Sequence, residues 1–557
     1  MSLALLAIAG VAAGAIGIGA WGVRFARTTS DLLVASRAVT PWWNAAAIGG
    51  EYLSAASFLG IAGLQMKYGS AALWLPVGFA GGYLALLFFV AAPLRRFGSY
   101  TVADFAEARL GSPRLRSLAS AVVLLIGALY LVPQLKGAGL TVREVTGGPY
   151  WLGLAAVALV VALNVALGGM RGITYVQAYQ YWLKTFAIAL PACLLVLHLG
   201  GLPERAALFG HELPRAPAGG LVVELEEPQR VTWPDTGRVE TLPAGRTVIP
   251  EGRTVPVAEG IEPMRGDEWA DPIGGDGRAS PLFVYSLLLA TFLGTMGLPH
   301  ILVRFYTNRD GPAARRTTVR VLGLLGLFYL FPALYGLLGR ALVPELYVTG
   351  ETDLAVLRIP AAAWPGPVGD ALGALVAAGA FAAFMSTASG LLVSVAGTLS
   401  YDVWDRVRPP RDRVRDRLRR FRLCAVLAMV VPVALALGTR EVDISVLVGW
   451  AFALAASTFC PLLLLGIWWT RLTARGAACG LVVGASVTTV AVAVALVTGD
   501  LANADTLLVQ PALVSVPLAF LAMVLVSLRG PAQPAPEALM RALHAPEGLG
   551  LEPASRA

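Results

Sequence analysis

Apolar residues along this chain gather into runs of about 20, the length that crosses a bilayer as a helix. Thirteen runs read as spans, at roughly 3–25, 42–65, 70–94, 117–141, 149–169, 173–200, 281–303, 319–343, 367–401, 421–438, 443–469, 475–498 and 508–528. The pattern predicts an all-α polytopic membrane protein. One long polar stretch, 201–280, interrupts it. There, apolar and polar residues alternate between Gly/Pro turns, which predicts one or two β-hairpins, with a small lid beside the entrance as a role. The residues after 529 are rich in Pro and Ala and read as disordered.

Composition excludes the main alternatives. Of 557 residues, 57% are hydrophobic and 14% are charged, against about 25% charged in an ordinary soluble domain. Soluble enzyme, disulfide scaffold and disordered chain are ruled out. Cys193, Cys424, Cys460 and Cys479 lie in or beside apolar runs without ligand spacing, so neither disulfide nor metal cluster is read from them. Walker A, HExxH and GxSxG strings are missing, and the few histidines (His198, His211, His300, His544) form no cluster in sequence. No enzyme activity, nucleic-acid partner, organic cofactor or obligate protein partner is expected.

Charge sets the expected topology. The first run carries no basic residue before it, and Arg24 and Arg27 follow it, which places the N-terminus outside and the C-terminus in the cytoplasm. Loops then on the inside hold 28 Lys and Arg, and the short outside loops hold five. The 201–280 stretch falls outside, with 14 acidic and 8 basic residues. The basic segment 402–422 reads as a solvated helix beside anionic headgroups. Arg dominance with abundant Ala and Gly suggests a bacterial source and hence the inner membrane.

Several spans contain groups that are costly in lipid. The second carries Gly49 and Gly50, then Glu51, Ser54 and Ser57; the seventh is interrupted by Gly294, Gly297 and Pro299. Interrupted helices at matching positions of two halves point to a transporter site. With the first helix set aside, each of two five-helix groups opens with an interrupted one, and an odd number per half inverts the second. The expected organisation is a 1–41 N-terminal helix and cytoplasmic link, a 42–200 first repeat, the 201–280 extracellular insertion, a 281–469 second repeat, two accessory helices in 470–530, and a 531–557 cytoplasmic tail. The ninth span adds Ser386, Thr387, Ser389 and Ser394, hydroxyls that suit a hard cation beside an unwound helix, with the Ala383 carbonyl one turn earlier. Gln177 and Lys184 share one face of the sixth span. Lys184 is deep enough to need a partner, either Glu51 or a substrate carboxylate.

Three stretches resemble the sodium:solute symporter family: GEYLSAASFLG at 50–60, GGMRG at 168–172 followed by Val176-Gln177, and GLPHILVRF at 297–305. The resemblance covers nearly all of 1–530 and is strongest to the acetate/monocarboxylate–cation branch. It implies a LeuT-like five-plus-five inverted repeat of about 13 helices, with one extra N-terminal and two extra C-terminal helices. It also implies Na⁺ as coupling ion, held by the carbonyls of Gly50, Leu53 and Ala383 and the hydroxyls of Ser386 and Thr387.

There are departures. Glu51 stands where that branch usually has Asp, and Gln177 replaces an acid of the sugar and proline members. Ser57 replaces a sugar-contacting Gln, and Thr291 and Thr295 replace aromatic contacts of proline members. Substrate contacts are therefore expected at Ser54, Ser57, Thr291, Thr295 and Met296, with no aromatic platform for a sugar. Coupling and gating fall to Glu51, Gln177, Lys184, Gly294, Gly297, Pro299 and Arg304. The expected function is symport of a small organic anion such as acetate with Na⁺, or with H⁺ if Lys184 takes over from the ion. The intact Ser386/Thr387 pair favours Na⁺. A membrane sensor for carboxylates is the reading from another class, and the short tail, with no room for an output domain, speaks against it.

Overall fold

A computed structural model describes residues 3–22, 39–99, 101–200, 213–259, 261, 266–273, 280–409, 415–498, 506–531 and 537–545. The basic link expected at 24–38, the stretch 201–212, residues 410–414 of the basic segment and the tail from 546 lie outside the described residues.

Helices dominate the described residues, and twelve of these are long and apolar enough to cross a membrane, making this a multi-pass membrane protein. α1 (Leu3–Gly22) leads, followed by α2 (Pro41–Tyr52), a π-helical turn at Ala56–Gly60, and α3 (Ile61–Tyr68). α4 (Trp74–Phe89), α5 (Ala91–Phe97), α6 (Val102–Leu110), α7 (Pro113–Thr146) and α8 (Tyr150–His198) complete the first half. The second half holds α10 (Pro281–Gly297), α11 (Pro299–Tyr306), α12 (Gly311–Leu342), α13 (Glu345–Thr349), α14 (Ala355–Ala363), α15 (Pro367–Gly397), α16 (Arg415–Leu427), α17 (Val430–Gly438) and α18 (Ile444–Trp468). α19 (Ala474–Thr498) and α20 (Ala512–Arg529) follow, then α21 (Glu537–His544). The insertion between the halves contributes a short helix, α9 (Gly266–Ala270).

Local sequence sets the long helices. Ser112 caps α7 by accepting from the Leu115 amide (3.3 Å), with Pro113 at its first turn, and Gly147 (φ 65°) closes it. Asp310 caps α12 the same way through the Ala313 amide (2.7 Å). Burial orders the layers. α18 is the most enclosed span and α1 among the least, while Phe88, Leu159, Leu330 and Val497 project outward, as side chains facing lipid do.

The expected interruption of the span at 42–65 is present: α2 and α3 flank the π-helical turn, and each is too short to cross alone. Counted as continuous helices the described residues give twelve spans, roughly consistent with the thirteen runs. Three expectations are corrected. The turn expected at 170–172 lies within the helical element α8, which runs from Tyr150 to His198. The span at 421–438 is divided at Ala428–Met429 between α16 and α17. Within the tail read as disordered, Glu537–His544 form a helix. α21 packs near α5, Arg96 donating to the Leu543 carbonyl (3.2 Å) and His544 contacting the Ile467 carbonyl (2.9 Å).

The insertion forms two small antiparallel sheets. β2 (Gln229–Thr232) and β3 (Val239–Leu242) make a hairpin, with β5 (Val257–Ala258) on the other edge of β2. β1 (Leu221–Leu225) pairs with β4 (Gly245–Ile249). The unit is pinned to the bundle. Trp269 donates its indole N–H to the Met66 carbonyl (3.1 Å), and Trp74 donates to the Pro272 carbonyl (2.9 Å). Gly69 has φ +56° and lies against the Trp269 carbonyl, so a side chain there meets both backbone strain and overlap. Between insertion and bundle lies a charged cavity of about 510 Å³, lined in part by Lys67, Lys136, Arg143, Glu226 and Asp443.

Candidate functional site

Both interrupted helices break where they face each other across the bundle centre. α2 stays helical through Gly49 and Gly50 and ends at Tyr52, so the break falls at Leu53–Ser54, a turn later than the paired glycines suggest. The glycines serve close approach instead: Gly49 lies on the Tyr181 ring and Gly50 on the Gln177 carbonyl. The second break is at Leu298, extended (φ −72°, ψ 115°), and Pro299 opens α11. Gly294 and Gly297 press against the Phe452 and Ala455 carbonyls of α18, so their missing side chains let α10 and α18 meet backbone to backbone.

The five positions expected to surround Na⁺ do converge, but a side chain sits among them. Lys184 Nζ donates to the Gly50 carbonyl (2.5 Å), the Leu53 carbonyl (2.5 Å) and Ser386 Oγ (3.1 Å). Ser386 Oγ in turn donates to the Ala383 carbonyl (2.9 Å). Thr387 Oγ1 donates to the Glu51 carbonyl (2.5 Å), tying α15 to the end of α2. The oxygens have the right chemistry for a hard cation, but the ammonium already engages three of the five groups, and the cage does not fit a metal ion beside it.

Of the two partners expected for Lys184, Glu51 or a substrate carboxylate, Glu51 is taken by another cation. Glu51 Oε2 accepts from Arg304 Nε (2.5 Å), and both side chains are 1% exposed. Arg304 also donates to Thr174 Oγ1 (2.8 Å) and to the Gln177 side-chain oxygen. Gln177 passes the link on, its amide donating to the Ser386 carbonyl (2.8 Å). The Glu51 carboxylate rests on Gly390 of α15, where any side chain would overlap it. Two turns earlier on α2, Asn44 Nδ2 donates to the Arg304 carbonyl (3.3 Å) and to Asn308 Oδ1 (3.1 Å). α2 and α11, one piece of each broken helix, are thus latched by one buried ion pair and a set of amides.

The expected substrate contacts separate into two groups. Ser54, beside Tyr130, and Ser57, whose hydroxyl meets Tyr329 OH (3.3 Å), line the first break. Thr295 joins them through Tyr52 OH (2.7 Å). Thr291 does not: its hydroxyl bonds the Leu287 carbonyl (2.8 Å) and packs against Gly78 at the α10–α4 contact. Met296 is buried in the core. Aromatic rings, not expected here, cluster around these hydroxyls. Tyr52 meets Tyr83 (ring centroids 4.6 Å) and Phe79 (5.6 Å), Phe79 meets Phe452 (4.8 Å), and Phe452 meets Tyr130 (5.6 Å). The Tyr83 hydroxyl has no hydrogen-bond partner among the described residues. These rings come from four helices, and nothing in their spacing along the chain brings them together.

The comparisons with known proteins agree with this architecture. The sodium:solute symporter family model matches residues 32–212 and 252–484. An uncharacterized symporter of Bacillus subtilis (strain 168), YwcA, is 30% identical over 503 residues, covering 89% of this chain and 88% of that protein. Among solved structures, a Na⁺-coupled sialic acid symporter in a substrate-bound outward-open state superposes with TM-score 0.72 at 15% identity, over 96% of this chain and 99% of that one. The nucleobase–cation symporter Mhp1, closed on bromovinylhydantoin, gives TM-score 0.53 at 14% identity, over 93% and 99%. At such identities the structural likenesses establish the fold, a LeuT-like helical bundle. With three quarters of its length matched by the family model and a full-length relative at 30% identity, this chain belongs to the sodium:solute symporter family.

Proposed function

We propose that this protein imports a small monocarboxylate, acetate or a near homologue, by alternating access in symport with a monovalent cation. Family membership supports Na⁺ as that cation. The observation that carries the carboxylate reading is the charge at the breaks: Glu51 and Arg304 cancel, and Lys184 remains as a buried positive charge. A carboxylate balances it, whereas a neutral sugar does not. Small polar groups at Ser54, Ser57 and Thr295 beside the Tyr83 hydroxyl suit a small anion with few donors of its own. The N-terminus lies outside and the C-terminus in the cytoplasm of a bacterial inner membrane, on the distribution of Lys and Arg. The latch of Glu51 with Arg304 then closes the cytoplasmic path. Coupling requires only that the cation-loaded state binds solute better, a reciprocal effect of about 1–3 kcal/mol.

Uptake of labelled acetate into proteoliposomes, with Na⁺ and H⁺ gradients imposed separately, tests the reading. Concentrative uptake under one of the gradients is expected, with competition by other short monocarboxylates. Strong competition by proline or glucose would overturn the substrate assignment.

A further inference from the structure

We infer that Lys184 is the resident cation of the cage between the first broken helix and α15, standing where a metal ion would otherwise join them. The geometry uses all three donors of an ammonium: two go to backbone carbonyls freed by the break, Gly50 and Leu53, and the third goes to Ser386 Oγ. Ser386 accepts from Lys184 while donating to the Ala383 carbonyl, so a fourth oxygen of the cage is engaged through it. The fifth group, the Thr387 hydroxyl, donates to the Glu51 carbonyl. α8, which carries Lys184, packs on both α2 and α15, so the charge is delivered on a scaffold already in contact with both sides of the junction.

A second cation on the same carbonyls would lie within a few ångströms of Nζ in a water-excluded site, where like charges repel far more strongly than in water. Na⁺ is therefore not bound in this cage. The charge left over after the Glu51–Arg304 pair also makes Lys184 the residue that selects a monoanion, a consequence that rests on the carboxylate reading above.

Melting of the purified full-length protein in NaCl or choline chloride at equal ionic strength tests the assignment. The wild type should show no Na⁺-dependent rise in Tm that Thr387→Ala removes. Lys184→Ala, with the cage opened, should melt lower in choline and recover in Na⁺ with saturation, and adding Thr387→Ala should abolish the recovery. A saturable Na⁺ shift in the wild type that Thr387→Ala eliminates would overturn the inference, as would a folded Lys184→Ala that gains no shift. Should Lys184→Ala not fold, wild type against Thr387→Ala decides: only a rise that the substitution removes counts against the inference. Failure of acetate uptake in either medium would remove the substrate reading and its monoanion corollary while leaving the melting result to judge the cage.

Discussion

The two broken helices solve one problem by different means. At the second break, Pro299 brings no amide hydrogen, so α11 begins with one fewer orphan donor, and Leu302 N–H closes onto the Leu298 carbonyl (3.1 Å). That break is written into a local string. At the first break no proline is present, and its orphan groups are satisfied by other helices. Lys184 of α8 takes the Gly50 and Leu53 carbonyls, Thr387 of α15 takes the Glu51 carbonyl, and the Gln134 side chain of α7 accepts from the Ala55 amide (3.0 Å). The second break is a fixed kink, whereas the first exists only while three neighbours hold it. A junction of that kind is where movement of α15 or α8 can be felt by a bound solute.

Substitutions rank the two. Glu51→Gln has the largest expected effect, because it leaves Arg304 buried without its counter-charge; breaking such a pair costs about 3–5 kcal/mol. Expression and Tm should fall sharply, and Glu51→Gln with Arg304→Met should recover part of the loss. No recovery in the double variant would show that the latch is not an isolated pair. Gln134→Leu comes next. It strips the cap from the Ala55 amide, and a buried donor left unsatisfied costs about 1–3 kcal/mol. Melting should register it, and uptake should fall further than the same loss of stability produces in a lipid-facing variant such as Leu330→Ala.

Pro299→Ala should cost less than Gln134→Leu, since the glycine contacts of α10 with α18 still hold the second break. A larger loss of Tm than in Gln134→Leu would reverse the ranking of the two breaks. Smallest is Glu107→Gln, remote from both. Burial pushes the Glu107 carboxyl up, but hydrogen bonds from Arg406 and Arg116 outweigh that and hold it below its ordinary value. A depressed carboxyl stabilises the fold above its unfolded-state pKa and loses that contribution as pH falls through the folded value. The effect should stay below about 1 kcal/mol, as for partly exposed ion pairs, and should vanish from a comparison of Tm values made in acid.

Much of the site was legible because polar groups in an apolar span are conspicuous. Glu51, Gln177, Lys184, Ser386 and Thr387 each stood out against lipid-compatible neighbours. Their pairings were not legible. Lys184 and Arg304 are both cations within reach of Glu51, and only the packing of α8 and α11 against α2 assigns the carboxylate to Arg304 and the freed carbonyls to Lys184. Thr291 and Thr295 are one turn apart on one helix, yet the first packs on Gly78 and the second meets Tyr52. The aromatic cluster was hidden for the same reason, since Tyr52, Phe79, Tyr130, Tyr329 and Phe452 look like ordinary apolar filling in their own spans.

The sequence by itself determined that the chain crosses a membrane many times, where most spans lie, and that the second and seventh are interrupted. Those properties follow from hydrophobic run length, from the missing donor of Pro299 and from charges that lipid does not tolerate, all of them local. Tertiary structure alone decided where the first interruption falls, since the glycine pair stays helical and the break appears where α7, α8 and α15 supply partners. It alone decided that an ammonium and not a metal ion meets the freed carbonyls. Hydrogen-bond partners more than a hundred residues apart in sequence are chosen by helix packing, and no periodicity along the chain records that choice.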